Sequence, residues 1–515
     1  MPDFYHNCLR DSLFHVRLKS GPNVCSLPQI LHHLGKNEIE AFSHLQKHQQ
    51  HAWHAFLVQL AAIALNRQQK DEPCQTAETW LNMLLDLSGK REEPWCLIVE
   101  DLSQPAFFQP PVPEGNLKIF KNEFLFPDEL DILITSKNHD LKSTRLAKPE
   151  IDHWLFALIT LQTMQGFLGA GNYGIARMNG GFANRPGVSF NSSLNLGHRF
   201  QRDIKALLSF RPAIVSQLGF SDPSGKALLW LEPWDGQSSL GLNDCDPFFI
   251  EICRRIRFSP SRAPISAFMC STKAPRINAK ESCGNTGDPW TPVEREAGKA
   301  LTMPQGGFSY ERVQEILFEG KYKPGAAQQL LPDDPQVVFF LATAMTRGQG
   351  KTEGLHERII KIPPKVRRSL GASTEKEKIG AMAKRRVGIV SDIQKKILKP
   401  ALCALLQSGK DKLNFTDSRP RYWLDRLDDN VDRIFFEDLW QAIDLETGEA
   451  DLSWLKTVCE LAHDQLKQAF DSVPISSVRK YRATCAAERI FFGCKRKLYP
   501  ELFHKKGEAN DQPHE

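Results

Sequence analysis

Glycine and proline divide this chain in two. Of 33 glycines and 32 prolines, only five and four respectively fall between residues 376 and 505. In a helix interior a glycine costs about 1 kcal/mol and a proline about 3 kcal/mol relative to alanine. The earlier part therefore cannot be continuous helix, whereas the later part is free to be. Helical apolar spacing over Lys376–Leu398, Pro400–Gln407, Tyr422–Glu446, Asp451–Ser472 and Ser476–Phe492 predicts an antiparallel C-terminal bundle of four or five helices. Between the two textures lies IPPKVRRSLGAST, Ile362–Thr374, whose double proline, glycine and Ser/Thr pair read as a boundary. The expected domains are a mixed N-terminal domain at 1–362, a linker at 363–375, a helical bundle at 376–505 and a disordered polar tail at 506–515.

Before the boundary, strand and helix patterns mix, and the expected fold class is α+β. Leu13–Arg17 and Val24–Leu27 read as short strands, and Ala227–Glu232 and Phe248–Phe258 as strand-like segments. His51–Leu65 (HAWHAFLVQLAAIAL) and Ile151–Leu168 read as core helices, with a long irregular stretch over 105–145 between them. His44, His48, His51 and His54 share a helical face, but Phe42, Leu45, Trp53, Phe56 and Leu57 around them favour a packed amphipathic helix over a metal stripe. The twelve cysteines contain no CxxC, so neither a zinc knuckle nor a disulfide framework is expected. No metal and no other cofactor is expected.

Total charge is uninformative, because 66 Lys and Arg meet 61 Asp and Glu. Its distribution says more. Arg347–Lys399 holds fifteen basic residues against five acidic ones, and Arg254–Lys280 holds seven basic residues and no acid. A solvated helix face and a polyanion-binding surface are both consistent with such runs. No window of 18 apolar residues predicts a membrane span, and the opening MPDFYHNCLRD lacks the apolar core of a secretory signal. A cytoplasmic protein is expected.

Motifs of catalysis are hard to find. GAGNYG, Gly169–Gly174, formally matches GxGxxG, but a helical pattern precedes it and no acid lies near residues 190–194, so a dinucleotide site is rejected. What remains is a glycine-rich loop, with Arg177 and Arg185 beside it, whose bare backbone can approach a ligand; a set of tight turns is the plain alternative. GFSDPSGKA, from Gly219, fails as a phosphate loop in both spacing and its final Ala227. TRGQGKTE, Thr346–Glu353, sets Gln349 between two glycines with Arg347 and Lys351 outside them. Such a tip can wedge against a base pair or meet a base edge, or be a simple surface turn. With no HExxH, no GxSxG and no nuclease-like metal cluster, a non-enzymatic role leads.

ELDILITSKNHDLK, GFLGAGNYGIARMNGGFANRPGV and GDPWTP, in this order and followed by a helical bundle, resemble the CasA family, the large subunit of the type I-E CRISPR surveillance complex Cascade. The resemblance runs along nearly the whole chain. It implies a mixed N-terminal domain, a C-terminal four-helix bundle and recognition of the protospacer-adjacent motif (PAM) in double-stranded DNA. Implied partners are the CRISPR guide RNA, the other Cascade subunits and the helicase-nuclease. The family reads the motif from the minor groove with a glycine loop, a lysine finger and a glutamine wedge. By resemblance the glycine loop is Gly169, Ala170 and Gly171, or in another register Gly180 and Gly181. The finger is Lys273 or Lys280, and the wedge is Gln349, with Arg347 and Lys351 holding DNA. Further phosphate contacts would come from Lys384, Arg385 and Arg386. The guide-handle loop is matched by TSKNHDLK, which makes Asn138, His139 and Lys142 its candidates. The paired CxxC motifs of some relatives are missing here.

The physics fits such a device. The minor groove distinguishes bases poorly, which suits a promiscuous short motif. Opening a duplex costs about 1.4 kcal/mol per base-pair step, so a wedge helps start a near-balanced strand exchange. The competing expectations are an unrecognised nucleic-acid enzyme and an architectural RNA-binding scaffold.

Overall fold

The computed structural model describes residues 4–133, 148–181, 185–260, 264–348, 351–409 and 412–503, the side chain of Lys351 excepted. The chain forms two compact units. One comprises residues 1–308 and 321–367, the other 309–320 and 368–515. Among the described residues no helix is long and apolar enough to cross a membrane. The fold class is α+β, as expected.

In the first unit, an antiparallel sheet places β1 (Phe14–Leu18) between β2 (Gly21–Cys25) and β3 (Ile39–Phe42). From Ala52 to Leu65 the central helix α1 (Gln50–Arg67) is apolar all round except at His54 and Gln59, and all but His54 are buried. A stretch with so little polar face belongs in the core. Trp53 on α1 packs against Phe14, Phe42 and Phe156, with ring centroids 5.1–5.5 Å apart. These contacts join the sheet to α2 (Ile151–Met164). A strand β4 (Gly187–Asn191) follows, then α3 (Leu196–Leu218), which ends on Gly219 in the left-handed conformation. There glycine avoids the Cβ penalty and its amide caps Val215. Helix α3 was not anticipated, because its buried face is charged: Arg202 pairs with Asp334, and Arg211 with Asp246.

Strands β5 (Cys245–Ile250), β6 (Arg255–Phe258) and β7 (Ala267–Cys270) carry the next apolar segments, with β6 and β7 antiparallel. The long hairpin β8 (Val338–Gly348) and β9 (Lys351–Ile362) pairs from Val338↔Ile362 to Gly348↔Lys351 with one shift of register between Thr346 and Arg347, and β4 lies on the other side of β8. TRGQGKTE, expected as an eight-residue loop, is thus mostly strand.

The second unit is helical. It begins with α4 (Tyr310–Leu317), which the chain inserts from within the N-terminal portion. The expected linker at 363–375 is instead largely helix: α5 (Pro364–Leu370) starts with its proline in the first turn, where the missing N–H costs nothing. The bundle continues with α6 (Ser373–Asp392), a π-helical turn at Ile393–Leu398, α7 (Lys399–Leu406), α8 (Arg421–Gln441), α9 (Thr447–Ser472) and α10 (Ser477–Leu498). Trp454 of α9 meets Phe435 of α8 at 5.6 Å in its core. The tail at 506–515 lies outside the described residues.

Candidate nucleic-acid interface

The glycine-rich segment leaves α2 at Met164 and returns to its starting point. The amide of Ile175 donates to the carbonyl of Gln165 at 3.0 Å, closing the base of an excursion over residues 166–174. At its tip the amide of Asn172 donates to the carbonyl of Gly169. Gly169 and Gly171 have φ of +122° and +83°. A Cβ on Gly171 would lie 2.8 Å from the Ser271 Cβ, so this position needs glycine twice over.

That close approach brings in the first lysine candidate. The amide of Thr272 donates to the Gly171 carbonyl at 3.0 Å, and the Tyr173 hydroxyl donates to the Lys273 carbonyl at 3.0 Å. The Lys273 amide in turn donates to Gly236 at 2.6 Å. Lys273 is therefore fixed through its backbone while its side chain is exposed. Lys280 is exposed as well, on a short turn. It sits with the alternative glycine pair: Gly284, just beyond that turn, packs so tightly on Met178 and Asn179 that a Cβ would fall 2.6 Å from backbone. Gly180 and Gly181 follow there with positive φ and open space, and the amide of Phe167 donates to Gly181. Both glycine sets and both lysines thus belong to one loop cluster.

The third component is the hairpin. Arg347, at the end of β8, reaches the base of the same excursion and donates to the side-chain carbonyl of Gln165 at 2.8 Å. It is 7% exposed, and burial brings its pKa down to about 10. Arg347 was expected among the DNA-holding residues; its guanidinium instead points into the protein and joins the hairpin to the glycine loop. Gln349 and the handle candidates Asn138, His139 and Lys142 lie outside the described residues, as does the side chain of Lys351.

The basic run Arg254–Lys280 proves to be largely internal. Arg254, Arg255, Arg257 and Arg276 are all 3% exposed or less. Arg254 donates to the carbonyls of Tyr173, Gly166 and Cys253, cross-tying the two limbs of the glycine excursion. Arg276 donates to Leu229, Glu232 and Pro233. In a region with little regular structure many carbonyls lack strand partners, and a guanidinium with five donors satisfies several at once. Arg177 and Arg185 are internal too, over Phe249 and paired with Asp288 respectively. Asp288 and Trp290 of GDPWTP are buried with them. In the second basic run, Arg386 is fully buried against Asp438 and Trp454, and Arg385 pairs with Asp451. Neither was expected to be engaged internally.

Glu251 supports the loop from beneath. Its Oε1 accepts the Ala176 amide at 2.6 Å, and burial pushes its carboxyl up to about 7. The four histidines do not act as a stripe. His48 meets Asp131 at 2.8 Å, His54 meets Asp203 at 2.9 Å, His51 is half-buried beside Trp290, and His44 precedes the helix.

The fold and loop cluster define a two-unit α+β protein with a helical C-terminal unit and a backbone-built loop platform flanked by exposed lysines. No protein-family model and no curated protein matches the sequence. Among solved structures, the chain is similar to Thermobifida fusca Cse1 at TM-score 0.65 and 13% identity, covering 96% of this chain and 98% of that one. It is also similar to Thermus thermophilus CasA at TM-score 0.61 and 13% identity, covering 96% and 100%. The CasA/Cse1 fold thus extends along nearly the entire chain.

Proposed function

We propose that this protein is the large subunit of a Cascade-type RNA-guided complex, which recognises a PAM in double-stranded DNA and opens the duplex there without cutting it. One observation carries the reading: the Gly169–Gly171 turn, the Lys273 backbone and the stem of the Gln349 hairpin are hydrogen-bonded into a single platform. The bare glycine backbone approaches the minor groove, and Lys273 or Lys280 reads or neutralises beside it. Gln349 wedges at the first base pair. Asn138, His139 and Lys142 are assigned to the guide-RNA handle, and the complex recruits a helicase-nuclease to the opened target. The exposed ammonium groups suit phosphate and groove contacts whose strength falls steeply with salt. The CasA/Cse1 fold over 96% of the chain supports the assignment.

The test uses the assembled complex. Gln349→Ala is expected to leave assembly and guide binding intact while slowing R-loop formation on motif-bearing duplex. R-loop formation at the unaltered rate would remove the wedge from the proposal. Incubation of the protein with DNA, RNA or ATP and a divalent metal is expected to give no turnover; turnover abolished by a point substitution would favour an enzyme instead.

A further inference from the structure

Away from the loop platform, three histidines gather around one carboxylate. Asp152, in the first turn of α2, is fully buried. His15 of β1 brings its Nδ1 to 3.0 Å from Oδ2. His44, from the turn after β3, brings its Nδ1 to 2.9 Å from Oδ1 and 3.1 Å from Oδ2. One ligand atom from each of His15, His44 and Asp152 lies within 4.8 Å of the others. The carboxylate is held in place by the His15 backbone amide, which donates to Oδ2 at 3.0 Å. His153 stacks on His44 with centroids 4.4 Å apart and 17° between planes, and its Nδ1 accepts the Glu150 amide at 3.1 Å.

We propose that His15, His44 and Asp152 form a binding site for a divalent transition-metal ion of the zinc class. An ion about 2.0–2.2 Å from imidazole nitrogen and carboxylate oxygen sets tetrahedral neighbours about 3.3–3.6 Å apart. The nitrogen–oxygen separations of 2.9–3.1 Å are a few tenths of an ångström short of that range, so side-chain rotations of that size admit the ion. Two imidazoles and one carboxylate select zinc, cobalt or nickel over calcium or magnesium, which take oxygen ligands. The site is neither sealed nor open: Asp152 is inaccessible, whereas the His15 and His44 side chains are 35% and 28% exposed, leaving a route for the ion and a position for water. The order of the donors along the chain, residues 15, 44 and 152, explains why no sequence motif announced it. Bound metal would tie β1 and the β3 turn to the start of α2, the helix whose far end opens into the glycine excursion.

The experiment titrates full-length, chelator-treated protein with Co2+, reading the visible ligand-field absorption and the bound stoichiometry. One saturable site per chain is expected, with Zn2+ displacing Co2+ and raising the melting temperature. His15→Gln and His44→Gln are each expected to weaken binding by about 100-fold or more, whereas His153→Ala, outside the proposed ligand set, is expected to weaken it only about tenfold, the low end for an outer partner. Asp152→Asn should abolish the absorption; because that carboxylate is buried, His15→Gln, at a partly exposed position, decides if the Asp152 variant fails to fold. Absence of a saturable Co2+ spectrum, or uptake unchanged in both histidine variants, overturns the proposal.

Discussion

Gly171 shows how closely one residue can be specified. Its φ of +83° disfavours any side chain, and the Ser271 Cβ occupies the space a methyl would need. Gly171→Ala is expected to cost about 1–2 kcal/mol from the backbone alone and to weaken motif-dependent DNA binding. Adding Ser271→Gly should recover the steric part but not the conformational part, which thermal melts of the two variants separate. Two titrating residues, half-buried His51 and buried Glu251, make the pH dependence equally specific, with opposite signs. Burial holds His51 neutral, with its pKa down at about 3 against 6.5 unfolded. Between those values the unfolded chain binds the extra proton, so stability falls as pH drops below about 6.5. Glu251 runs the other way, from 4.5 unfolded to about 7 folded. Its contribution is complete below about 4.5 and is lost as pH rises through 7. Glu251→Gln retains an acceptor for the Ala176 amide, and its melting temperature relative to the parent should rise from pH 4.5 to pH 8; a flat difference would show that Glu251 is ionised throughout.

At the scale of elements, Arg347 joins the glycine excursion to the β8–β9 hairpin, and Arg254 ties the excursion's two limbs together. Arg347 and Lys273 are therefore expected to behave differently. Lys273→Ala should lower the slope of log affinity against log salt by about 1 if it contacts a phosphate. Arg347→Ala should weaken binding with no change in that slope, because its charge faces Gln165. Equilibrium binding at several salt concentrations distinguishes the two. Arg254→Met, which leaves the carbonyls of Tyr173, Gly166 and Cys253 without their donor, should cost roughly 3 kcal/mol. What was legible in the sequence follows the same division. Apolar periodicity announced α1, α2 and most of the bundle, because burial of those elements is carried by carbon. Helix α3 stayed hidden because its inward positions, Arg202, Asp203 and Arg211, are charged and paired, and Pro212 interrupts its pattern. GAGNYG was legible as a tight, backbone-presenting loop, but nothing in the spacing of residues 171 and 271 told that they touch.

For the whole molecule, the two units divide at Arg367/Arg368, and the return of residues 309–320 to the helical unit had no signal in the sequence. Tyr310 makes that return stable: its ring lies 4.8 Å from Phe435, its amide donates to Asp432 at 2.7 Å and its hydroxyl to Asp428 at 3.2 Å. Tyr310→Ala is expected to cost about 3–5 kcal/mol and to raise hydrogen exchange in α4 and α8 together; exchange confined to α4 would mean that the inserted helix is dispensable to the bundle. The loop platform has a different kind of consequence. Because the contacts of position 273 among the described residues run through its own amide and carbonyl, a different side chain there leaves the mount undisturbed. On the proposed reading, a change at that single codon alters what the platform meets and leaves the scaffold as it is.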